Sequence, residues 1–200
     1  MPCFDSAVEA IHQKGYFVGE QFWPASEALA MTAACQELKR QERFRPARIG
    51  RAQEKQRHEA IRSDPICWLD SDLPAPLQHY LDALEAYRQQ VNRELLLGLD
   101  HVEVHAAYYP PGAHYGRHLD RHRDDDARTL TAILYLNPDW QAEDGGLLSI
   151  DLPDGSQATV LPRLGTFVSF LSAEFPHEVL PTRRDRLTLT GWYRRRGSPF

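Results

Sequence analysis

The chain of 200 residues is predicted to be a mainly β protein with helices in front. Three observations carry that prediction. Residues after Asp100 fall into short runs rich in Val, Ile, Thr, Tyr, Phe and Trp; turn residues divide the runs; and residues before Asp100 instead repeat apolar side chains at steps of three and four. Seven or eight successive strands point to a sandwich, jelly roll or barrel.

Residues 6–14 read as a first helix that Gly15 stops, as glycine commonly does at a helix end. A brief apolar stretch follows at 16–23. Pro24 and Ser26 introduce a second helix, rich in Ala, Leu, Glu and Lys, that runs to about Gln41. The third helix is the clearest: Leu77, Leu81, Leu84, Tyr87, Val91 and Leu95 form one apolar stripe, and Gly98 ends it. Between the second and third helices, residues 44–64 are polar and basic with little apolar periodicity. They read as a long surface loop, of a length that in compact domains serves as a lid, a binding segment or a disordered stretch.

Strands are expected at 102–109, 115–120, 129–136, 147–152, 158–161, 166–171 and 187–194. The sequences Pro110-Pro111-Gly112, Asn137-Pro138-Asp139, Asp144-Gly145-Gly146 and Pro153-Asp154-Gly155 each separate two of these runs. A single domain over residues 1–200 is expected, with 1–100 supplying helical support and the loop and 101–200 the β core.

A hydrophobic share of 42% with 26% charged residues is ordinary for a soluble globular chain, and a net charge of -5 argues against general nucleic-acid binding. No apolar run approaches the roughly 20 residues of a membrane span. An early acid at Asp5 and no basic start argue against a secretory signal. Cys3, Cys35 and Cys67 are odd in number and far apart, which indicates neither a disulfide framework nor a zinc site, so a reducing cytoplasm is expected.

His118-Leu119-Asp120 ends a predicted strand, where residues two apart share a face and can bind one metal; His177 follows far downstream. Two imidazoles and a carboxylate make the facial triad of non-haem Fe(II) oxygenases. A lone His-x-Asp has little specificity in a chain with nine histidines. His122 offers a rival local site with His118 and Asp120, whereas Asp124 to Asp126 lack the spacing of a calcium loop and read as a solvated turn. Further on, the strand that begins at Arg186 alternates Arg186, Thr188, Thr190 and Trp192 against Leu187, Leu189 and Gly191. Its polar face could hold a buried anion, with Arg186 binding a carboxylate through its planar fork; the alternative is a surface salt bridge to Asp185 or Glu178. His105 and His114 read as structural. Tyr108 and Tyr109 must face opposite ways, and alternation alone leaves open which one faces the pocket.

The motifs Tyr109-Pro110, Tyr115-x-Arg117-His118-x-Asp120, Leu134-Tyr135-Leu136-Asn137, Trp140, Gly145-Gly146, Pro176-His177-Glu178-Val179, Arg186 and Trp192 together resemble the prolyl hydroxylase branch of the 2-oxoglutarate oxygenases. The resemblance extends over nearly the whole chain, to bacterial prolyl hydroxylases akin to the animal hypoxia-factor enzymes. It implies a double-stranded β-helix, that is a jelly-roll barrel, buttressed by the N-terminal helices. It implies Fe(II) on His118, Asp120 and His177, with 2-oxoglutarate and O2 as co-substrates and ascorbate as a reductant. Tyr135 and Arg186 would bind the distal carboxylate of 2-oxoglutarate, with Tyr109 and Thr190 nearby and Trp192 beside the iron. Arg128 and Trp192 would face the substrate. The implied reaction is hydroxylation of a prolyl residue in an exposed, flexible protein loop, and the nearest bacterial relatives suggest elongation factor Tu. An oxygenase of the same fold acting on a small molecule or nucleic-acid base is the alternative. A non-catalytic binding module is disfavoured by the intact triad, and the basic segment 44–64 favours a macromolecular partner.

Overall fold

The structure is a computed structural model that describes residues 2–46, 64–121 and 127–196. Its helices are α1 (Asp5–Lys14), α2 (Ala25–Arg40) and α3 (Ala75–Leu95). Gly15 closes α1 as expected, at φ 78°, with its N–H returned to the Ile11 carbonyl. α3 buries Leu77, Leu84, Tyr87 and Val91 of the predicted stripe, with Leu81 and Leu95 packed at its edge. Its end differs from expectation: Leu96, not Gly98, takes the left-handed turn, at φ 57°. The cause lies one turn back, where the Asn92 amide bonds both the N–H and the carbonyl of Leu99 at 2.7 Å and forces the chain to reverse between them.

The strands are β1 (Tyr16–Gly19), β2 (Arg45–Pro46), β3 (Pro65–Trp68), β4 (Leu99–Tyr109), β5 (Tyr115–His118), β6 (Arg128–Tyr135), β7 (Leu148–Asp151), β8 (Gln157–Val160), β9 (Phe167–Leu171), β10 (His177–Val179) and β11 (Arg186–Arg195). They form two antiparallel sheets, a major one in the order β1-β9-β6-β11-β4-β3-β2 and a minor one in the order β5-β10-β7-β8. All seven predicted strands are present. β1, β2, β3 and β10 go beyond the sequence reading. β2 and β3 contain Pro46 and Pro65, and proline demotes a run as a strand candidate. β10 has only three residues, too few to show a period.

One apolar cluster lies between the helices and the outer face of the major sheet, and a second lies between the two sheets. β11 divides them: Leu187, Leu189 and Tyr193 join the helix-side core. α3 comes close at Gly191, where an added Cβ would stand 3.5 Å from Leu84 Cδ1. Two buried tyrosines tie this layer together, Tyr193 donating to the Leu84 carbonyl at 2.9 Å and Tyr87 to Ser169 Oγ at 3.1 Å. Each such ring contributes roughly 1.5–3 kcal/mol by burial, so the central strands have a firm backing on which to present their other face.

The expected loop at 44–64 is described only at its ends, where Arg45 and Pro46 pair with β3 and Asp64 is buried. Residues 47–63, His122 and the acidic run Asp124 to Asp126 lie outside the described residues. Among the described helices, none is long and apolar enough to cross a membrane.

Candidate active site

Two imidazoles meet because their strands are neighbours. β5 and β10 pair with His118 directly opposite His177, and the ring centroids lie 4.3 Å apart. Asp120 arrives by a different route from the one its spacing suggests. β5 ends at His118, so Asp120 is not on the strand but in the bend beyond it. Its carboxylate turns back to place Oδ1 3.4 Å from His118 Nε2 and Oδ2 3.7 Å from His177 Nε2. One donor atom from each residue lies within 4.8 Å of the other two, close enough for a single ion to touch all three.

The surroundings fix the form in which these donors are presented. His118 Nδ1 lies 2.8 Å from the Gly116 carbonyl and His177 Nδ1 3.0 Å from the Phe175 carbonyl. A carbonyl only accepts, so each Nδ1 carries a proton, and in the neutral imidazole this leaves the Nε2 lone pair facing the cluster. Thr131 of β6 donates to Asp120 Oδ2 at 2.8 Å. The Tyr115 ring stacks on His118 at 3.7 Å. Burial alone would raise the Asp120 carboxyl, but the imidazoles of His177 and His118 and the Thr131 hydroxyl hold it well below the usual carboxylate range. Burial pushes His177 down against the pull of Asp120, which favours the neutral imidazole. An ionised Asp120 and a neutral His177 are the forms that metal binding needs, and the donor set is the one suited to non-haem Fe(II) with open positions left over.

Arg186 occupies the opposite end of the cleft. It is directly across the ladder from Tyr109 and only 2% exposed. Its Nε donates to the Gly146 carbonyl at 2.9 Å, and its guanidinium carbon lies 4.8 Å from the Tyr109 ring centre and 5.1 Å from that of Tyr135. Among the described residues no carboxylate pairs with it. Asp185, one of the salt-bridge partners considered from sequence, pairs with Lys39 at 3.8 Å instead. A buried cation without a counter-charge costs several kcal/mol, so this end is suited to binding an anion. The buried Tyr135 hydroxyl makes no hydrogen bond of normal geometry among the described residues and lies beside the Arg186 guanidinium, a second group placed for the same anion. Burial pushes its pKa up to about 12 against the pull of Arg186, so it remains a neutral donor.

Gly146 makes room for this arrangement. At φ 64°, an added Cβ would stand 2.9 Å from Arg186 Cδ and 3.2 Å from Thr182 Cβ. Gly146→Ala is therefore expected to displace the Arg186 stem and to cost roughly 1–3 kcal/mol of stability. Thermal unfolding and a titration with 2-oxoglutarate, the co-substrate expected from sequence, check both effects.

Thr188 and Thr190 line the cleft between its two ends, with Trp192 beyond them and Leu148 and Val179 of the minor sheet facing them. Trp192 Nε1 is buried without a hydrogen-bond partner among the described residues. Its ring packs on His105 at 4.7 Å and on Trp68 at 6.1 Å, and carries the Arg128 guanidinium at 3.7 Å.

His118, Asp120, His177, Arg186, Tyr135, Tyr109, Thr190 and Trp192 thus all line one cleft. Arg128 does not line it; it lies behind Trp192 and donates to the Asp120 carbonyl at 3.3 Å. Tyr109, not Tyr108, faces the cleft, and Tyr108 sits under the Lys39 ammonium at 3.3 Å. His105, read from sequence as structural, lines the cleft opposite Thr190 in the ladder. The signal that could have found it is that register, since an inward Thr190 fixes its partner's side as well. His114 is not part of the lining.

Residues 104–194 match the family model of the 2OG-Fe(II) oxygenase superfamily. The chain is 32% identical over 143 residues to human Egl nine homolog 1, covering 66% of this chain and 33% of that protein. It is 28% identical over 202 residues to the hypoxia-inducible factor prolyl hydroxylase of Caenorhabditis elegans, covering 94% of this chain and 28% of the relative. It therefore spans about a third of the length of these curated relatives. Among solved structures, a Pseudomonas putida prolyl-4-hydroxylase is 43% identical, with a TM-score of 0.89 over 98% of this chain and 100% of the other. A Trichoplax adhaerens prolyl hydroxylase, solved with a hypoxia inducible factor peptide fragment, is 25% identical with a TM-score of 0.78, covering 94% and 87%.

Proposed function

This chain belongs to the prolyl hydroxylases of the 2OG-Fe(II) oxygenase superfamily, and from that premise we propose that it hydroxylates a prolyl residue in a protein, with iron on His118, Asp120 and His177. The observation that carries this reading is one cleft holding both a three-donor cluster and, at its far end, a buried guanidinium with no counter-charge among the described residues. The family uses Fe(II), 2-oxoglutarate and O2. When bound, these supply an oxidation in which 2-oxoglutarate loses CO2 to become succinate, one oxygen atom passing to succinate and the other to the substrate.

The chain's own groups have four tasks. The carbonyls of Gly116 and Phe175 fix the histidine tautomers, and Thr131 fixes the Asp120 carboxylate. Arg186 and Tyr135 bind and orient the far carboxylate of 2-oxoglutarate. Ile133, Leu148 and Val179 keep water from the centre of the cleft. Trp192 borders the substrate side, with Arg128 behind it.

The Trichoplax relative, solved with a peptide fragment, supports a protein substrate, and the Pseudomonas prolyl-4-hydroxylase supports the 4 position; the proposed target is an exposed loop containing proline. Elongation factor Tu is the first protein to test, and the proposed compartment is the cytoplasm. Two nogalamycin biosynthesis enzymes at 16% and 14% identity share the fold alone, and bring no support for a small-molecule substrate. The test is succinate formation in the presence of candidate substrates. Proline-containing peptides should stimulate it and their proline-to-alanine versions should not; stimulation by free amino acids or oligonucleotides instead would favour the alternative.

A further inference from the structure

We propose that Glu103 is a positioning residue for the ion site, acting as the shared counter-charge that holds Arg128 against the backbone of Asp120. The proposal rests on the reading of His118, Asp120 and His177 as the metal ligands.

Asp120 lies past the end of β5, so no strand ladder holds its backbone. Among the described residues, Thr131 holds its carboxylate and Arg128 its carbonyl. Arg128 has an awkward neighbour. It stands opposite Arg194 in the β6–β11 pairing, and like charges facing each other across a ladder repel. Glu103 comes from β4, on the other side of β11, directly opposite Trp192. Its Oε2 lies 3.4 Å from Arg194 Nη1 and 4.0 Å from Arg128 Nη2. One carboxylate therefore answers both cations, on the same sheet face as the indole that carries Arg128. The Arg128 and Arg194 side chains are 14% and 20% exposed, so solvent screens them only in part. Burial works against the Arg128 charge, Asp120 and Glu103 sustain it, and Arg194 opposes it.

Glu103→Gln keeps the shape and removes the charge. Asp120 still faces Arg128, but less opposes the repulsion from Arg194, and the hold on the Asp120 carbonyl weakens. Arg194→Gln in the same chain removes the repulsion and should let Arg128 settle back. A structural role for Glu103 would not produce that rescue, because two substitutions would do at least as much harm as one.

The experiment is a titration of the full, iron-free chain with Co(II), followed by the visible absorption of the bound ion. Glu103→Gln should weaken Co(II) binding about fivefold. The double variant Glu103→Gln/Arg194→Gln should return to within about twofold of the unsubstituted chain, with circular dichroism unchanged throughout. Unchanged affinity in Glu103→Gln, or a double variant as weak as the single one, overturns the proposal. Asp120→Ala is the control for the underlying reading: loss of Co(II) binding upholds the ligand set, and binding that survives it overturns the ligand set and this proposal together.

Discussion

Replacing His177 or Asp120 by alanine is expected to abolish ion binding and 2-oxoglutarate turnover while leaving the fold largely intact. The expectation follows from how few groups make the site. Loss of an outer partner of a metal ligand typically costs about 10–100-fold in affinity, so loss of a direct donor from a set of three should cost more. Neither substitution touches the scaffold. β10 is held by backbone ladders to β5 and β7 that do not depend on the His177 side chain, and Asp120 lies outside the ladder altogether. Metal titration, succinate formation and thermal unfolding of each variant separate the effects. His122→Ala should leave all three readings unchanged. Loss of metal binding in His122→Ala with retention in His177→Ala would mean that the local His118, Asp120 and His122 site is the true one.

Arg186→Ala should raise the 2-oxoglutarate requirement by about 100-fold or more, because breaking a buried ion pair costs roughly 3–5 kcal/mol. The guanidinium is buried, holds the Gly146 carbonyl with Nε and stands between the Tyr109 and Tyr135 rings. Arg186→Lys should rescue only partly, since an ammonium cannot reproduce the two parallel bonds of the fork and cannot both reach Gly146 and meet a carboxylate. The KM for 2-oxoglutarate measured across the series checks this. An unchanged KM in Arg186→Ala would place the anion elsewhere.

What could be read from the sequence follows from which physical signals are periodic. β11 was legible residue by residue because period-two alternation puts Arg186, Thr188, Thr190 and Trp192 on one side, and a strand buried on both faces must use both sets. The α3 stripe was legible for the same reason at period 3.6. The pairing of His118 with His177 was not, because it depends on β10, a strand too short to show any period. Asp120 was expected on the strand from its spacing, yet it reaches the cluster from a bend, where hydrogen bonds rather than alternation set its direction. The choice between Tyr108 and Tyr109 turns on the phase of β4, which both sequence neighbours satisfy equally well. His105 was passed over because a lone histidine carries no pattern; only its position opposite Thr190 reveals it.

The proposed reaction adds one oxygen atom to a prolyl residue of a protein at this cleft. Mass spectrometry of a host-cell lysate, treated in parallel with active enzyme and with the Asp120→Ala variant, tests it most directly. The expected result is a gain of one oxygen localised to a proline of one or a few proteins, dependent on 2-oxoglutarate and absent with the variant. Oxidation confined to small molecules or nucleic acid, or the same protein oxidation with both enzymes, would contradict it.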